Sequence, residues 1–107
     1  MTIQANPLDP DASVRVRRIA LSGEIDVATA PRAFAEVIAV DPSPGDVVIL
    51  DLGDVEFIDS RGVAMLLKAK SHFDGMGCQL SLANPSDPVK RVLEVLGLWE
   101  QFRLEAG

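Results

Sequence analysis

Apolar side chains alternate with polar ones in two stretches of the chain and form a continuous run in a third. Residues 13–23 (SVRVRRIALSG) alternate and predict a half-exposed strand, and a slip in the alternation after Val16 indicates a bulge or bend. Residues 47–52 (VVILDL) are apolar at both parities, which is typical of a central strand. Residues 78–84 (CQLSLAN) alternate again and predict a third strand that turns Ser81 outward to a wet face.

Between and after these strands, apolar residues recur at helical spacing. Residues 29–40 predict the first helix, with Pro31 in its first turn, where the missing N–H costs nothing. A second helix is expected between the second and third strands, after a short acidic loop, and residues 86–97 predict a third helix that ends at Gly97. This alternation predicts an α/β domain with parallel neighbouring strands, right-handed crossovers and helices mainly on one face of the sheet.

Length and charge narrow the classes of function. A chain of 107 residues is one domain by usual sizes, and only residues 1–12 are expected to be loosely held. The net charge of −6 argues against nucleic acid or an anionic membrane as the main partner, because both require clustered cations, and favours a basic partner surface. No apolar run approaches the length of a membrane span, and the first residues lack the features of a signal peptide. We therefore expect a cytoplasmic protein.

Residues that usually carry catalysis or bind metals are sparse. The chain has a single cysteine, Cys78, and a single histidine, His72, so neither an internal disulfide nor a zinc site is expected, and a reducing compartment fits. Glycine-rich nucleotide loops and nucleophile elbows are absent. His72 follows Ser60 by twelve residues on the same expected helix, too far to act as its base. The sequence predicts no enzymatic activity, no cofactor and no metal.

The residues Asp59-Ser60-Arg61-Gly62 come where the second helix is expected to begin. A serine at that point commonly caps the helix, because its side-chain oxygen accepts a hydrogen bond from an unpaired N–H, and this contributes about 1 kcal/mol. The same helix start carries partial positive charge and free N–H groups, which suit a phosphate. Ser60 is therefore predicted to serve as helix cap, as phosphorylation site, or as both.

Three separated segments make the chain resemble a known family. LSGEIDVATAPRAF, VVILDLGDVEFIDSRGVAMLL and GCQLSLANPSDPVKRVLEVLGLWEQFRL occur in the order and spacing of the STAS family, which includes anti-sigma-factor antagonists and related domains of sulfate transporters. The resemblance runs from about Ile19 to Leu104. It implies a single STAS domain across residues 1–107, with a mixed sheet of four to five strands. It also implies partner switching, in which an anti-sigma factor with serine kinase activity phosphorylates the antagonist and a serine phosphatase reverses the modification.

The resemblance also assigns roles to particular residues. Ser60 matches the phospho-acceptor serine of the D-S-x-G motif, and Asp59 matches the aspartate beside it, which would orient the hydroxyl. Asp26 matches the acidic residue of the GEID segment, which lies near the acceptor in the family. Gly62 matches the small residue that lets a partner approach, so Gly62→Leu is expected to weaken binding without unfolding. Arg61 departs from the family, which commonly has serine or threonine there, and is predicted to alter partner choice or to pair with a phosphate.

Two alternatives to the phosphorylated antagonist fit parts of the sequence. Asp51, at the end of VVILD, resembles the phospho-acceptor of a receiver domain, but the acidic pair and the late lysine of that fold are missing. The stronger alternative is a STAS domain that acts as a non-phosphorylated scaffold or as an accessory module in nucleotide or lipid transport, because one fold hosts several functions. Acidic residues are expected to converge around Ser60 at one end of the sheet: Glu24, Asp26, Asp54, Glu56 and Asp59.

Overall fold

A computed structural model describes residues 15–105 of the chain. Strands and helices alternate along it, as the hydrophobic pattern predicted. The elements are β1 (Val16–Ile25), α1 (Ala30–Ile38), β2 (Val47–Ile58), α2 (Ser60–Gly75), β3 (Gln79–Ala83), α3 (Asp87–Val95), a 3₁₀ turn (Trp99–Gln101) and β4 (Arg103–Glu105).

The strands form one sheet in the order β1-β2-β3-β4, and each neighbouring pair is parallel. The fourth strand is short, with only three residues. The expected four strands are therefore present, but the mixed sheet is not: within residues 15–105 no strand runs antiparallel to another. The predicted loose segment, residues 1–12, lies outside the described residues.

Register places the core on one face of the sheet. Ile19, Leu50 and Leu82 lie side by side on adjacent strands, and Leu50 and Leu82 are fully buried. All three helices contribute to this same core, through buried side chains that include Val37 on α1, Leu66 on α2 and Val89 on α3. The helices thus stabilise the sheet from the face that the strand pattern marked as apolar.

The opposite face of the sheet is more enclosed than the pattern predicted. Ser81 was expected to point outward into water, yet it is fully buried. Its hydroxyl accepts a hydrogen bond from the Gln79 side-chain amide at 3.1 Å. A hydroxyl can be buried at little cost when it is paired in this way, because the hydrogen bond replaces the one lost to water.

β2 is twice as long as its apolar run. The predicted acidic loop is wrong: residues 53–58 continue the strand, and β2 has twelve residues in all. The register with β1 shifts at two points, between Ala20 and Ser22 and between Gly23 and Glu24. These shifts mark bulges whose extra residues lie on β2. The register is regular from Val16 to Ala20, so the bulge predicted after Val16 is wrong. The second half of β2, which contains the bulges, leads directly to the start of α2.

Along the part of the chain that the structure describes, no helix combines the length and hydropathy needed to cross a bilayer.

Candidate functional site

The carboxyl ends of β1 and β2 bring two aspartates together. Ile25 pairs with Ile58 in the last register position of these parallel strands. The next residues, Asp26 and Asp59, therefore leave the sheet side by side, and the Asp59 N–H donates to the Ile25 carbonyl at 3.3 Å. This arrangement confirms the sequence expectation that the GEID and D-S-x-G segments meet at one edge of the sheet.

Asp59, not Ser60, caps α2. The Asp59 backbone is extended, and its Oδ1 accepts hydrogen bonds from the N–H groups of Arg61 at 2.9 Å and Gly62 at 3.0 Å. Its carbonyl accepts the first helical bond, from the Val63 N–H at 2.9 Å. The predicted capping role of Ser60 is therefore wrong. Ser60 is the first residue of the helix, and its side chain is exposed.

The fold does not need the Ser60 hydroxyl to hold the helix start. Asp59 Oδ1 is occupied by two backbone amides and makes no hydrogen bond to Ser60 within the described residues, so the expected orienting contact is absent. The hydroxyl is held at the positive end of a helix of sixteen residues, beside a carboxylate and in contact with solvent. It can be modified without loss of a capping bond.

Asp26 holds the turn that enters α1. Its Oδ1 accepts from the N–H groups of Ala28 at 3.0 Å and Thr29 at 3.1 Å. The Thr29 hydroxyl in turn accepts from the Asp26 N–H at 2.9 Å and donates to the Glu24 carbonyl at 2.7 Å. Asp26 is therefore a fixed, partly exposed negative charge, because its carboxylate is tied to its own loop.

Gly62 is buried, which overturns the expected exposure of this position. A Cβ at Gly62 would lie 2.5 Å from the Ile25 carbonyl oxygen and 2.5 Å from Ile58 Cγ1. Glycine is required because the first turn of α2 packs directly on the ends of both strands. The prediction that Gly62→Leu leaves the fold intact is wrong, since a leucine there would displace the helix start. Gly62 therefore positions the helix start and is not itself an exposed contact surface.

Arg61 is exposed on the first turn of α2, next to Ser60. Among the side chains that the structure describes, its guanidinium forms no ion pair; the two ion pairs found among them join Arg18 to Asp51 and Lys70 to Asp74. Its side chain lines a concavity between α1 and α2, together with Val27 and Lys68. The residue that departs from the family pattern therefore lies on the surface that surrounds Ser60.

Acidic side chains converge on this edge, as predicted. Ser22 pairs with Asp54 and Glu24 pairs with Phe57 across the ends of β1 and β2. The carboxylates of Glu24, Asp54 and Glu56 are exposed, and those of Asp26 and Asp59 are partly exposed. The strand ends that lead to Ser60 thus carry several exposed or partly exposed acidic residues, with Arg61 beside them.

The sequence pattern missed two exposed apolar residues at the same edge. Val27 is 63% exposed and Phe57 is 46% exposed. Val55 pairs with Gly23 and Phe57 with Glu24, so Glu56 is the extra residue of a bulge, and the alternation that should have buried Phe57 is broken. A partner that contacts Ser60 would find both carboxylates and apolar side chains beside it.

Asp51 is not the strand-end carboxylate of a receiver domain. It lies inside β2, where its Oδ1 accepts from the Gly53 N–H at 3.0 Å and its Oδ2 pairs with Arg18 at 3.3 Å. The hydrogen bond from the Gly53 amide, with Arg18, lowers the pKa of Asp51 below its ordinary value. These contacts indicate that the Asp51 carboxylate has a structural role.

No group of three or more His, Cys, Asp or Glu side chains within the described residues is arranged to hold a metal ion. The site can instead offer a hydroxyl, fixed charges and apolar side chains to another protein.

Comparison with known proteins identifies the fold family. The sequence model of the STAS domain matches residues 9–106. The chain belongs to the STAS domain family. The anti-sigma-F factor antagonist RsfB of Mycobacterium tuberculosis is 32% identical over 89 residues, which cover 80% of this chain and 70% of that protein. The resemblance to anti-sigma-factor antagonists is thereby confirmed.

Solved STAS structures share the fold at lower identity. A sulfate transporter family protein from Wolinella succinogenes matches with a TM-score of 0.70 and 24% identity, covering 92% of this chain and 85% of that one. The anti-sigma factor antagonist SpoIIAA in its unphosphorylated form matches with a TM-score of 0.67 and 21% identity, covering 89% and 82%. Antagonist and transporter domains thus share this architecture, and the function has to be argued from the site.

Proposed function

We propose that this STAS domain is an anti-sigma-factor antagonist that binds an anti-sigma serine kinase and is released when Ser60 is phosphorylated. The observation that carries the proposal is the division of roles at the start of α2: Asp59 caps the helix, which leaves the exposed Ser60 hydroxyl available to another protein. The antagonist named among the relatives supports the same role. The protein acts as ligand and substrate, and the catalytic groups belong to the kinase.

In the phosphorylation step, Ser60 Oγ forms a bond to the γ-phosphorus of Mg-ATP held by the kinase. The bond from that phosphorus to the bridging oxygen breaks, ADP leaves, and the hydroxyl proton passes to a base of the kinase. The role of this chain in the step is to position the Ser60 hydroxyl. The hydrogen bonds from Arg61 and Gly62 to Asp59 fix the first helical turn and hold the serine at the surface. A serine phosphatase would restore the hydroxyl by hydrolysis.

Release follows from the charge that the phosphate adds. A phosphoserine carries about −1.5 to −2 charges at neutral pH. In the free domain, water, the N-terminus of α2 and the neighbouring Arg61 would tolerate that charge, so folding should change little. In the complex, the phosphate would lie beside Asp26 and Asp59 with its water removed. Repulsion and desolvation should then weaken binding by several kcal/mol.

Calorimetric titration into the cognate anti-sigma kinase tests the proposal. Ser60→Ala should bind as wild type does without ATP and should remain bound when Mg-ATP is added. Ser60→Asp should bind at least about tenfold more weakly even without ATP, which corresponds to a loss of about 1.4 kcal/mol. Ser43→Asp is the matched control, because the exposed Ser43 lies before β2 at the opposite edge of the sheet and the same charge there should leave affinity unchanged.

Mass spectrometry after incubation with kinase and Mg-ATP should place one phosphate on Ser60. Equal affinities for all variants, or a phosphate only at another residue, would reject partner switching through Ser60. An affinity that does not change when Mg-ATP is added would instead favour the non-phosphorylated scaffold or transport accessory module.

A further inference from the structure

A second surface lies beside the Ser60 edge, in the seam between α1 and α2. Two adjoining concavities share Phe34 and Lys68 and run along the seam. We call their combined surface the inter-helix trough. Its apolar lining consists of Val27, Ala30, Pro31, Phe34, Ala64, Met65 and Leu67.

The trough also carries a row of basic side chains. Arg61, Lys68 and His72 line it along α2. Arg61 and Lys68 are seven residues apart, which places them on one face of the helix about 10 Å apart along its axis. The Lys68 ammonium lies 4.9 Å from the centre of the Phe34 ring, so its charge is held over the apolar lining.

No carboxylate from either helix lines the trough. The only acidic residues of α1 and α2 are Glu36 and Asp74. Glu36 lines a different concavity, between α1 and β1, and Asp74 pairs with Lys70 at 2.9 Å. A strip with cations and no helix carboxylate is unexpected on a chain with a net charge of −6, so it is complementary to an acidic ligand.

The shape of the trough selects the kind of ligand. Its deeper part has a volume of about 300 Å³, at the low end for small-molecule pockets, and is open to solvent along the exposed residues Val27, Ala64 and Lys68. An open seam between two helices matches the recognition of an amphipathic helix, whose apolar face is inserted at intervals of three and four residues. Acidic residues on the flanks of that helix would meet Arg61 and Lys68.

We propose that the inter-helix trough docks an acidic amphipathic helix of a partner protein. The proposal does not require phosphorylation of Ser60, and its ligand has the opposite charge to the basic partner surface expected at the acidic edge. Arg61 belongs to both surfaces.

The test uses the full chain labelled with ¹⁵N and a helical probe peptide built from leucine and glutamate in an amphipathic pattern. The matched peptide replaces every glutamate with lysine, and oleate is titrated separately. In NMR titrations the acidic peptide should shift the amide signals of Ala30, Phe34 and Ala64 and should bind at least about tenfold more tightly than the basic peptide. Lys68→Glu should lower the affinity for the acidic peptide by about fivefold or more, because an attraction between Lys68 and the peptide's glutamates becomes a repulsion.

Lys90→Glu is the control variant, since the exposed Lys90 lies on α3, outside the trough, and the reversal there should leave peptide affinity unchanged. Equal binding of the two peptides, no binding, or shifts confined to other surfaces would overturn the proposal. Binding of oleate alone would reassign the trough to small anionic amphiphiles. None of these measurements involves the kinase or ATP. Rejection of peptide docking in the trough and rejection of partner switching through Ser60 are therefore separate results.

Discussion

The starts of α2 and α3 use the same two residue types in opposite order. At α2 the chain reads Asp59-Ser60, and the aspartate caps the helix while the serine is exposed on its first turn. At α3 it reads Ser86-Asp87, and the serine takes the N-cap position. The Ser86 hydroxyl donates to the Val55 carbonyl at 2.7 Å, which ties the start of α3 to β2.

This difference bears on the proposal that Ser60 is the switch. A phosphate on Ser86 would remove the hydroxyl that bonds Val55, so modification would cost the fold a part-buried hydrogen bond. A phosphate on Ser60 would remove no capping bond, because Asp59 makes both of them. The Ser86 hydroxyl bonds to the fold although it makes no capping hydrogen bond, whereas Asp59 makes the capping bonds next to Ser60, and this supports Ser60 as the proposed site of modification.

The largest effect is expected from disturbing the close packing between the start of α2 and the ends of β1 and β2. Gly62→Ala should lower the free energy of unfolding by about 2 to 3 kcal/mol, because the new Cβ would overlap a backbone carbonyl that cannot move aside. Urea denaturation monitored by circular dichroism measures the change.

Gly75→Ala provides the control within the same helix. No heavy atom lies within 4 Å of a Cβ at Gly75, so alanine should stabilise the protein there by up to about 1 kcal/mol through its higher helix propensity. A loss of stability at Gly75 similar to that at Gly62 would mean that an added Cβ is unfavourable in this helix even without a close contact, and the packing explanation of Gly62 would then be wrong.

A second test separates capping from availability at the two helix starts. Asp59→Ala should destabilise the protein by about 1 kcal/mol, the usual cost of a lost N-cap, and Ser86→Ala should cost a similar amount through its lost hydrogen bond. Ser60→Ala should change stability by less than about 0.5 kcal/mol. If Ser60→Ala proved as costly as Asp59→Ala, the hydroxyl would be a structural group, and the contrast between the two serines would disappear.

The sequence predicted which helices and strands form better than it predicted the residues at which they begin and end. Apolar periodicity located three strands and three helices, and the family resemblance located the D-S-x-G segment at the start of α2. The cap was misassigned by one residue, because hydrophobic spacing defines a helix face and does not fix its first residue. Asp and Ser are both good caps, so residue type could not choose between Asp59 and Ser60.

The features that the sequence did not reveal depend on contacts between distant segments. Burial of Gly62 follows from a carbonyl on β1, and exposure of Phe57 follows from a bulge that is defined only by the register with β1. Alternation within one strand cannot reveal either feature, since a register shift is a property of the pair. The inter-helix trough likewise requires knowledge of which faces of α1 and α2 meet.

The last test asks how much a capping contact contributes away from a helix start. Asp51 Oδ1 accepts the N–H of the residue two positions later, Gly53, just as Asp59 Oδ1 accepts that of Arg61. The Gly53 hydrogen bond is the largest single cause of the lowered pKa of Asp51, and a hydrogen bond and the charge of Arg18, with a hydrogen bond from Asn84, lower it further. A folded-state pKa below the unfolded value means that ionised Asp51 stabilises the fold above the unfolded value of about 3.9. That contribution is lost as the pH falls through the folded-state pKa.

Asp51→Asn should therefore lower the free energy of unfolding at pH 6, by less than about 1 kcal/mol for this partly exposed group, and the difference from wild type should shrink below pH 4. Arg18→Gln should keep part of the pH dependence that wild type shows, because the amide of Gly53 remains in place. Urea denaturation of the three proteins at pH 6 and pH 3 separates these contributions. If Arg18→Gln removed the pH dependence as fully as Asp51→Asn, the ion pair would be the main cause. The backbone contact of Asp51 could then no longer serve as a reference for the capping contacts of Asp59.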